Sequence, residues 1–257
     1  MSTAQRVSQV DPSDNFVLAR SVLAYRRAVG LVSGRVVEIG TGNGYGVELL
    51  AGAAESLVTL DKHLPAGLEL PSGVEFRRMK VPPIELPSDS FDFAVSFQVI
   101  EHIRRDGAFL DEVRRVLRPG GRFIVTTPNA AMSLTRNPWH VREYTAGQFS
   151  ALVGSRFSAV EAMGVFGDER VMEYYEHNRA GVEAFARLDP LSLRNRLPRW
   201  MLRVPYDVAN RMNRRRLLAE NEILTRGITP DNYRLEPISE GAVGSESAFD
   251  LFFICTK

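Results

Sequence analysis

Residues 35–46 read RVVEIGTGNGYG, a short apolar run that passes directly into glycines 40, 42, 44 and 46. Glycines at a strand-to-helix turn let a ligand approach the backbone closely and permit positive φ. The amides that open the following helix can then face an electron-rich group. A dinucleotide fingerprint needs G-x-G-x-x-G, and counting from Gly40 or Gly42 puts Tyr45 or Val47 at its last position. A P-loop fails too, because no Gly-Lys-Ser/Thr follows. Glu38, two residues before the first glycine, would repel a diphosphate and suits a cationic ligand.

Around this stretch, strand and helix patterns alternate. Residues 14–29 read as a helix with Asp14 as its N-cap, and GVELLAGAA (46–54) reads as a second helix. SLVTLD (56–61), GVEFRRM (73–79), FDFAVSF (91–97) and RFIVTTP (122–128) are strands, the third apolar enough to be buried on both faces. AFLDEVRRVL (108–117) is a helix stopped by RPGG. This alternation predicts an α/β fold with a doubly wound sheet. After the fifth strand come a loop (129–145), a short helix (146–154), a strand (156–166) and a very apolar terminal strand (248–257). Residues 1–166 and 248–257 therefore form the expected core, with 167–247 as a mainly helical insertion or lid.

The pattern E-x-G-x-G-x-G after the first strand resembles the signature of class I S-adenosylmethionine (SAM) methyltransferases. Asp61 follows 23 residues after Glu38, and LPSDSFDFAVSFQVIEHI (86–103), LDEVRRVLRPGGRFIVTTPN (110–129) and HVREYT (140–145) resemble further blocks of that family. The resemblance, strongest to the small-molecule and glycan-modifying branches, implies a seven-stranded sheet, mostly parallel with an antiparallel last strand. It implies SAM as cofactor, with Gly40, Thr41, Gly42 and Gly44 along its methionine part and Glu38 receiving the ammonium through a water or amide. Asp61 would take the ribose diol, with Lys62 or His63 beside the adenine. Relatives place an acid at the end of the third strand. Here Lys80-Val81 stands there, so backbone around Val81 would serve the adenine. Phe97 and Gln98 would lie beneath the sulfonium. His102 and His140 are the candidate bases, and Trp139, Arg142 and Tyr144 would frame the acceptor pocket. Metal-binding relatives carry acids where this chain has SFQVIEH, so no metal is expected. The motif of nucleic-acid amino-methyltransferases is missing after strand four.

Composition narrows the partners. The 257 residues include 14 Phe, 7 Tyr and 2 Trp with 25% charged residues, which excludes a mainly disordered chain. A single cysteine, Cys255, excludes a disulfide framework and a cysteine zinc cluster. There is no 18-residue apolar run and no signal-like start, so a cytoplasmic protein is expected. The net charge of +1 hides a segregation: residues 194–216 hold eight arginines and one acid, +7 in all, against −6 for the rest. That segment reads as a lid whose arginines are solvated or paired, as a surface for an anionic acceptor (a nucleotide-sugar or phosphorylated glycan), or as peripheral membrane contact. Nucleic acid fits less well, given a pI near 7.9. The expected activity is methyl transfer to an oxygen or nitrogen of a small molecule, such as a sugar or glycan intermediate. The competing readings are a catalytically silent SAM-binding partner or sensor, an RNA methyltransferase and, more remotely, an oxidoreductase.

Overall fold

Val36 and Val37 are adjacent, point to opposite faces of one sheet, and are both fully buried, each in a different hydrophobic cluster. Their strand is β1 (Arg35–Ile39) of a computed structural model that describes residues 10–64, 67–187, 197–238 and 244–257. The other strands are β2 (Ser56–Asp61), β3 (Val74–Arg78), β4 (Phe91–Phe97), β5 (Leu117–Pro128), β6 (Ala159–Gly167), β7 (Tyr233–Pro237) and β8 (Asp250–Thr256). They form one sheet in the order β3-β2-β1-β4-β5-β8-β6-β7. The first five pair in parallel, β8 runs antiparallel to β5 and β6, and β7 runs antiparallel to β6.

The fold is the expected α/β doubly wound sheet, but with eight strands among the described residues rather than seven. The additional strand, β7, lies inside the segment read as a helical insertion. It is five residues long and ends on proline, so its alternation is too brief to separate from a loop in the sequence. It is held by register pairs such as Val165↔Leu235 and Gly167↔Tyr233.

The helices are α1 (Asn15–Val29), α2 (Val47–Ala51), α3 (Asp106–Val116), α4 (Ala146–Gly154), α5 (Glu169–Arg187), α6 (Arg199–Glu220) and α7 (Glu222–Arg226). α1 and α2 bury Ala24, Ala28, Val47 and Leu50 in the cluster that contains Val36. α3 and α4 bury Phe109, Val113, Phe149 and Val153 with Val37 on the other face. Asp14 does occupy the N-cap position of α1, yet its side chain makes no capping bond and instead pairs with Arg214 of α6.

Among its described residues the insertion has no separate core. Its Val171, Tyr174, Leu217, Leu224 and Tyr233 join the cluster of Phe16 and Val36. Phe16 stacks on Tyr174 at 4.7 Å and meets Phe249 edge-on at 5.4 Å, and the Tyr233 hydroxyl donates to the Phe16 carbonyl at 2.8 Å. Insertion and α1 are thus one packed layer. No helix among the described residues is long and apolar enough to cross a membrane.

Strand order reverses between β1 and β4, which opens a crevice at the C-terminal ends of the strands, where open α/β sheets place their ligands.

Candidate active site

A cavity of about 1950 Å³ occupies that crevice and continues beneath α5 and α6. Single-ligand sites typically measure about 300–1,000 Å³, so this one has room for two. Gly40, Thr41, Gly42, Asp61, Lys62, Val81, Phe97, Gln98, His102 and His140 all line it. The sequence-derived site is therefore largely brought together, from residues up to 100 positions apart.

The glycine loop is fixed from both sides. Gly42 has φ +57°, and its amide donates to Asp61 Oδ2 at 3.0 Å. The His63 amide donates to Asp61 Oδ1 at 3.1 Å, so the carboxylate is aimed while each oxygen retains a lone pair. Gly46 is required for space, since a Cβ there would overlap the Tyr25 ring.

Glu38 and Gly44 are not on the cavity wall. Glu38 is 1% exposed. Its Oε1 accepts from the Tyr25 hydroxyl at 2.7 Å and its Oε2 from Thr59 Oγ1 at 2.5 Å. Thr59 in turn lies 2.6 Å from Thr41 Oγ1. The acid expected to reach a ligand's ammonium through a water or amide thus stands behind the loop, with the Tyr25 and Thr59 hydroxyls on its two oxygens. Burial pushes its carboxyl up to about 6, against the pull of Thr59 and Tyr25.

At the end of β4, Gln98 has φ +56°, a conformation that costs a non-glycine residue about 1–3 kcal/mol and concentrates at functional sites. The next turn presents Glu101 and His102. His102 Nδ1 lies 3.1 Å from the Trp139 carbonyl oxygen, so Nδ1 carries the proton and Nε2 offers a lone pair. Burial, with His140 and Lys62 nearby, lowers its pKa to about 4. Glu101 is 1% exposed, and burial pushes its carboxyl up to about 7. Its Oε2 accepts from Thr127 at 3.3 Å, and its Oε1 stands 3.9 Å from His102 Nε2. Two acceptors therefore face each other across the cavity floor.

His140 packs edge-on to His102 at 4.9 Å. Both its ring nitrogens are engaged, Nδ1 with Glu143 Oε1 at 2.5 Å and Nε2 with Asn137 Nδ2 at 2.8 Å. Glu101, His102 and His140 have ligand atoms within 4.8 Å of one another. His140 is nevertheless saturated by Asn137 and Glu143, so as a third metal ligand it would first have to release one of them.

Trp139 frames the pocket as expected, but Arg142 and Tyr144 are not on its wall, because both bind Asp106. Trp139 Nε1 donates to Asp207 of α6 at 2.9 Å, and Arg203 of α6 lies 4.4 Å above its ring. These contacts hold α6 as a roof. Arg194 and Arg196 of the arginine segment lie outside the described residues. Of the others, Arg214 pairs with Asp14 and Arg216 with Glu220.

The sequence reading missed Tyr25, Glu101, Arg20 and Tyr206 on this wall. Glu101 had a usable signal, an acid directly beside the candidate histidine at a strand end. The others come from helices with no local motif.

A methyltransferase-domain family model matches residues 37–125. A probable SAM-dependent methyltransferase of Mycolicibacterium smegmatis is 29% identical over 99% of this chain and 94% of its own length. One of Mycobacterium tuberculosis is 32% identical over 62% of each chain. A solved SAM-dependent methyltransferase of Thermotoga maritima superposes with a TM-score of 0.54 at 15% identity, covering 94% of this chain and 92% of that one. These similarities support a class I SAM-dependent methyltransferase, with SAM as the cofactor.

The buried Glu38 gives a testable pH dependence. A carboxyl whose folded pKa is raised binds its proton more tightly when folded, so its stabilising contribution is complete at low pH and is lost as pH rises through the folded value. For a rise from 4.5 to about 6 that loss is about 2 kcal/mol. Melting temperature is expected to fall as pH rises across this window, and Glu38→Gln to flatten the fall. Thermal melts in matched buffers check it; an unchanged slope in the variant would refute it.

Proposed function

We propose that the enzyme methylates a hydroxyl oxygen or amino nitrogen of a small molecule, of sugar or glycan-intermediate type, seated under α6. The observation that carries this reading is the facing pair Glu101 Oε1 and His102 Nε2, 3.9 Å apart at the end of β4. Two lone pairs at that separation form a socket for a hydrogen-bond donor, which a hydroxyl or an amine supplies.

The residues fit SAM. Asp61 presents two aimed oxygens to a ribose diol, where charge-assisted bonds are strongest. Val81 and Met79 offer apolar surface beside Lys62 and His63, and Phe97 closes the floor at β4. Negative charge at Glu38, Asp61 and Glu101 suits the ammonium and sulfonium of that ligand. When bound, SAM supplies an activated methyl group on a good leaving group. The chain then has to orient the acceptor and remove its proton.

Glu101 is the base in this reading. Its pKa of about 7 is matched to neutral pH, whereas His102 at about 4 is a weak base that orients the acceptor through Nε2. His140, bonded to Glu143 and Asn137, holds the wall behind His102. The outer half of the cavity bears Tyr174, Asn178, Tyr206, Asn210 and Asn213, groups that bind hydroxyls. Arg203 adds positive charge for an anionic substituent, while Arg20 and Arg214 are paired with Asp250 and Asp14. Arg20 contacts Asp250 at 3.4 Å, and its Nε is without a hydrogen-bond partner.

The test incubates the enzyme with methyl-labelled SAM and a fractionated cell extract. Label is expected in a small polar molecule; label in RNA or protein would contradict the reading. On that product, the rate should rise with pH through about 7, as Glu101 ionises. Glu101→Gln should remove that limb and lower kcat roughly 10²- to 10⁴-fold, with SAM affinity unchanged. A retained limb would return the proton transfer to another group.

A further inference from the structure

We infer that the outer face of α6 docks on an anionic lipid surface, with the helix lying in the plane of the headgroups. The inner face of this helix, Arg203, Tyr206, Asn210, Asn213 and Arg214, lines the cavity. At 100° per residue the opposite face carries Trp200, Val204, Val208, Arg211, Met212 and Arg215.

Four of these are large, apolar and open to solvent: Trp200 is 71% exposed, Val204 72%, Val208 54% and Met212 61%. Met201 adds a fifth, at 44%. Elsewhere the exposed large hydrophobics among the described residues are scattered singly: Val10, Leu49, Leu64 and Ile223. A stripe recurring every four residues is different, because isolated exposed residues are normal and contiguous apolar surface marks an interaction site.

Charge selects the occupant. Arg211 and Arg215 extend the stripe toward the helix C-terminus, and no acidic residue lies on this face. Asp207 is turned to its edge, where it holds Trp139. From a neighbouring element Asp11 faces it, its pKa lowered by Ser13 and, at longer range, by Arg215 and Arg211. Among the described residues of this face, Arg211 and Arg215 against Asp11 leave net positive charge beside a tryptophan-led apolar stripe. That is the composition of an interfacial helix, which gains from apolar insertion and from attraction to anionic headgroups together. The same helix is too polar to cross a bilayer.

Because the two faces belong to one helix, docking would set the cavity roof against the lipid and give a membrane-borne acceptor a short path to the site. That consequence rests on the proposed reaction; the docking does not.

Flotation of the full-length protein with phosphatidylglycerol-containing and with pure phosphatidylcholine vesicles tests it without turnover. Binding is expected to the anionic vesicles and to weaken with salt. A Trp200→Ser, Val204→Ser, Val208→Ser triple variant should lower partitioning at least roughly tenfold. Arg211→Gln with Arg215→Gln should abolish the preference for anionic lipid. Circular dichroism and SAM binding serve as fold controls for both. No flotation of the wild type, or flotation unaffected by the triple substitution, would overturn the inference. So would a concentration-dependent dimer in sedimentation that the triple variant abolishes, which would assign the stripe to a second copy of the chain.

Discussion

The Glu38 carboxylate, enclosed and held by the hydroxyls of Tyr25 and Thr59, is the joint on which the site depends. It ties α1, β1 and β2 together at the point where the glycine loop leaves the sheet. Tyr25 also meets Phe97 edge-on at 4.7 Å, which links the same joint to the end of β4. Thr59 continues to Thr41 and so fixes the loop itself. A buried acid is costly unless its oxygens are satisfied. The sequence meets that demand with two hydroxyls from elements that must therefore stay in register. Asp61 can then be aimed into the cavity by the Gly42 and His63 amides, because the loop beneath it is held by Thr59 through Thr41.

Much of this was legible in the sequence, for identifiable reasons. β1, β2 and β4 end on signals that local chemistry requires: glycines where backbone turns, an acid at β2, a polar turn after β4. Such signals survive in a one-dimensional reading. Partners contributed from a distance do not, and Glu38 shows this. Its place in the motif was readable, but its enclosure by Tyr25, 13 residues earlier on a helix, was not. His102 was found because histidines are few. Its neutral state follows from burial and from His140 nearby, against the pull of the Trp139 carbonyl, none of which its neighbours in sequence reveal. Glu101 was passed over although it stood beside His102, because acids are usually solvated and only the structure shows this one enclosed. β7 was lost because five residues ending on proline carry too little periodicity.

The charge segregation changes meaning once it is folded onto a helix. A local +7 read along the chain suggests one cationic surface. Wrapped around α6, the described arginines serve different ends: Arg214 anchors to Asp14, Arg203 stacks on Trp139, and Arg211 and Arg215 face outward. The insertion is therefore both a structural layer over α1 and the roof of the cavity. In the proposed reading its inner surface bears on which molecule enters, and its outer surface on where the enzyme works.

The central claim is that the crevice between β1 and β4 holds SAM with its reactive end toward Glu101 and His102. A crystal structure with S-adenosylhomocysteine tests it most directly. The account predicts the ribose hydroxyls on Asp61 and the sulfur at the end of β4, on the Glu101 side. A nucleoside bound elsewhere, or a sulfur turned away from Glu101 and His102, would contradict it.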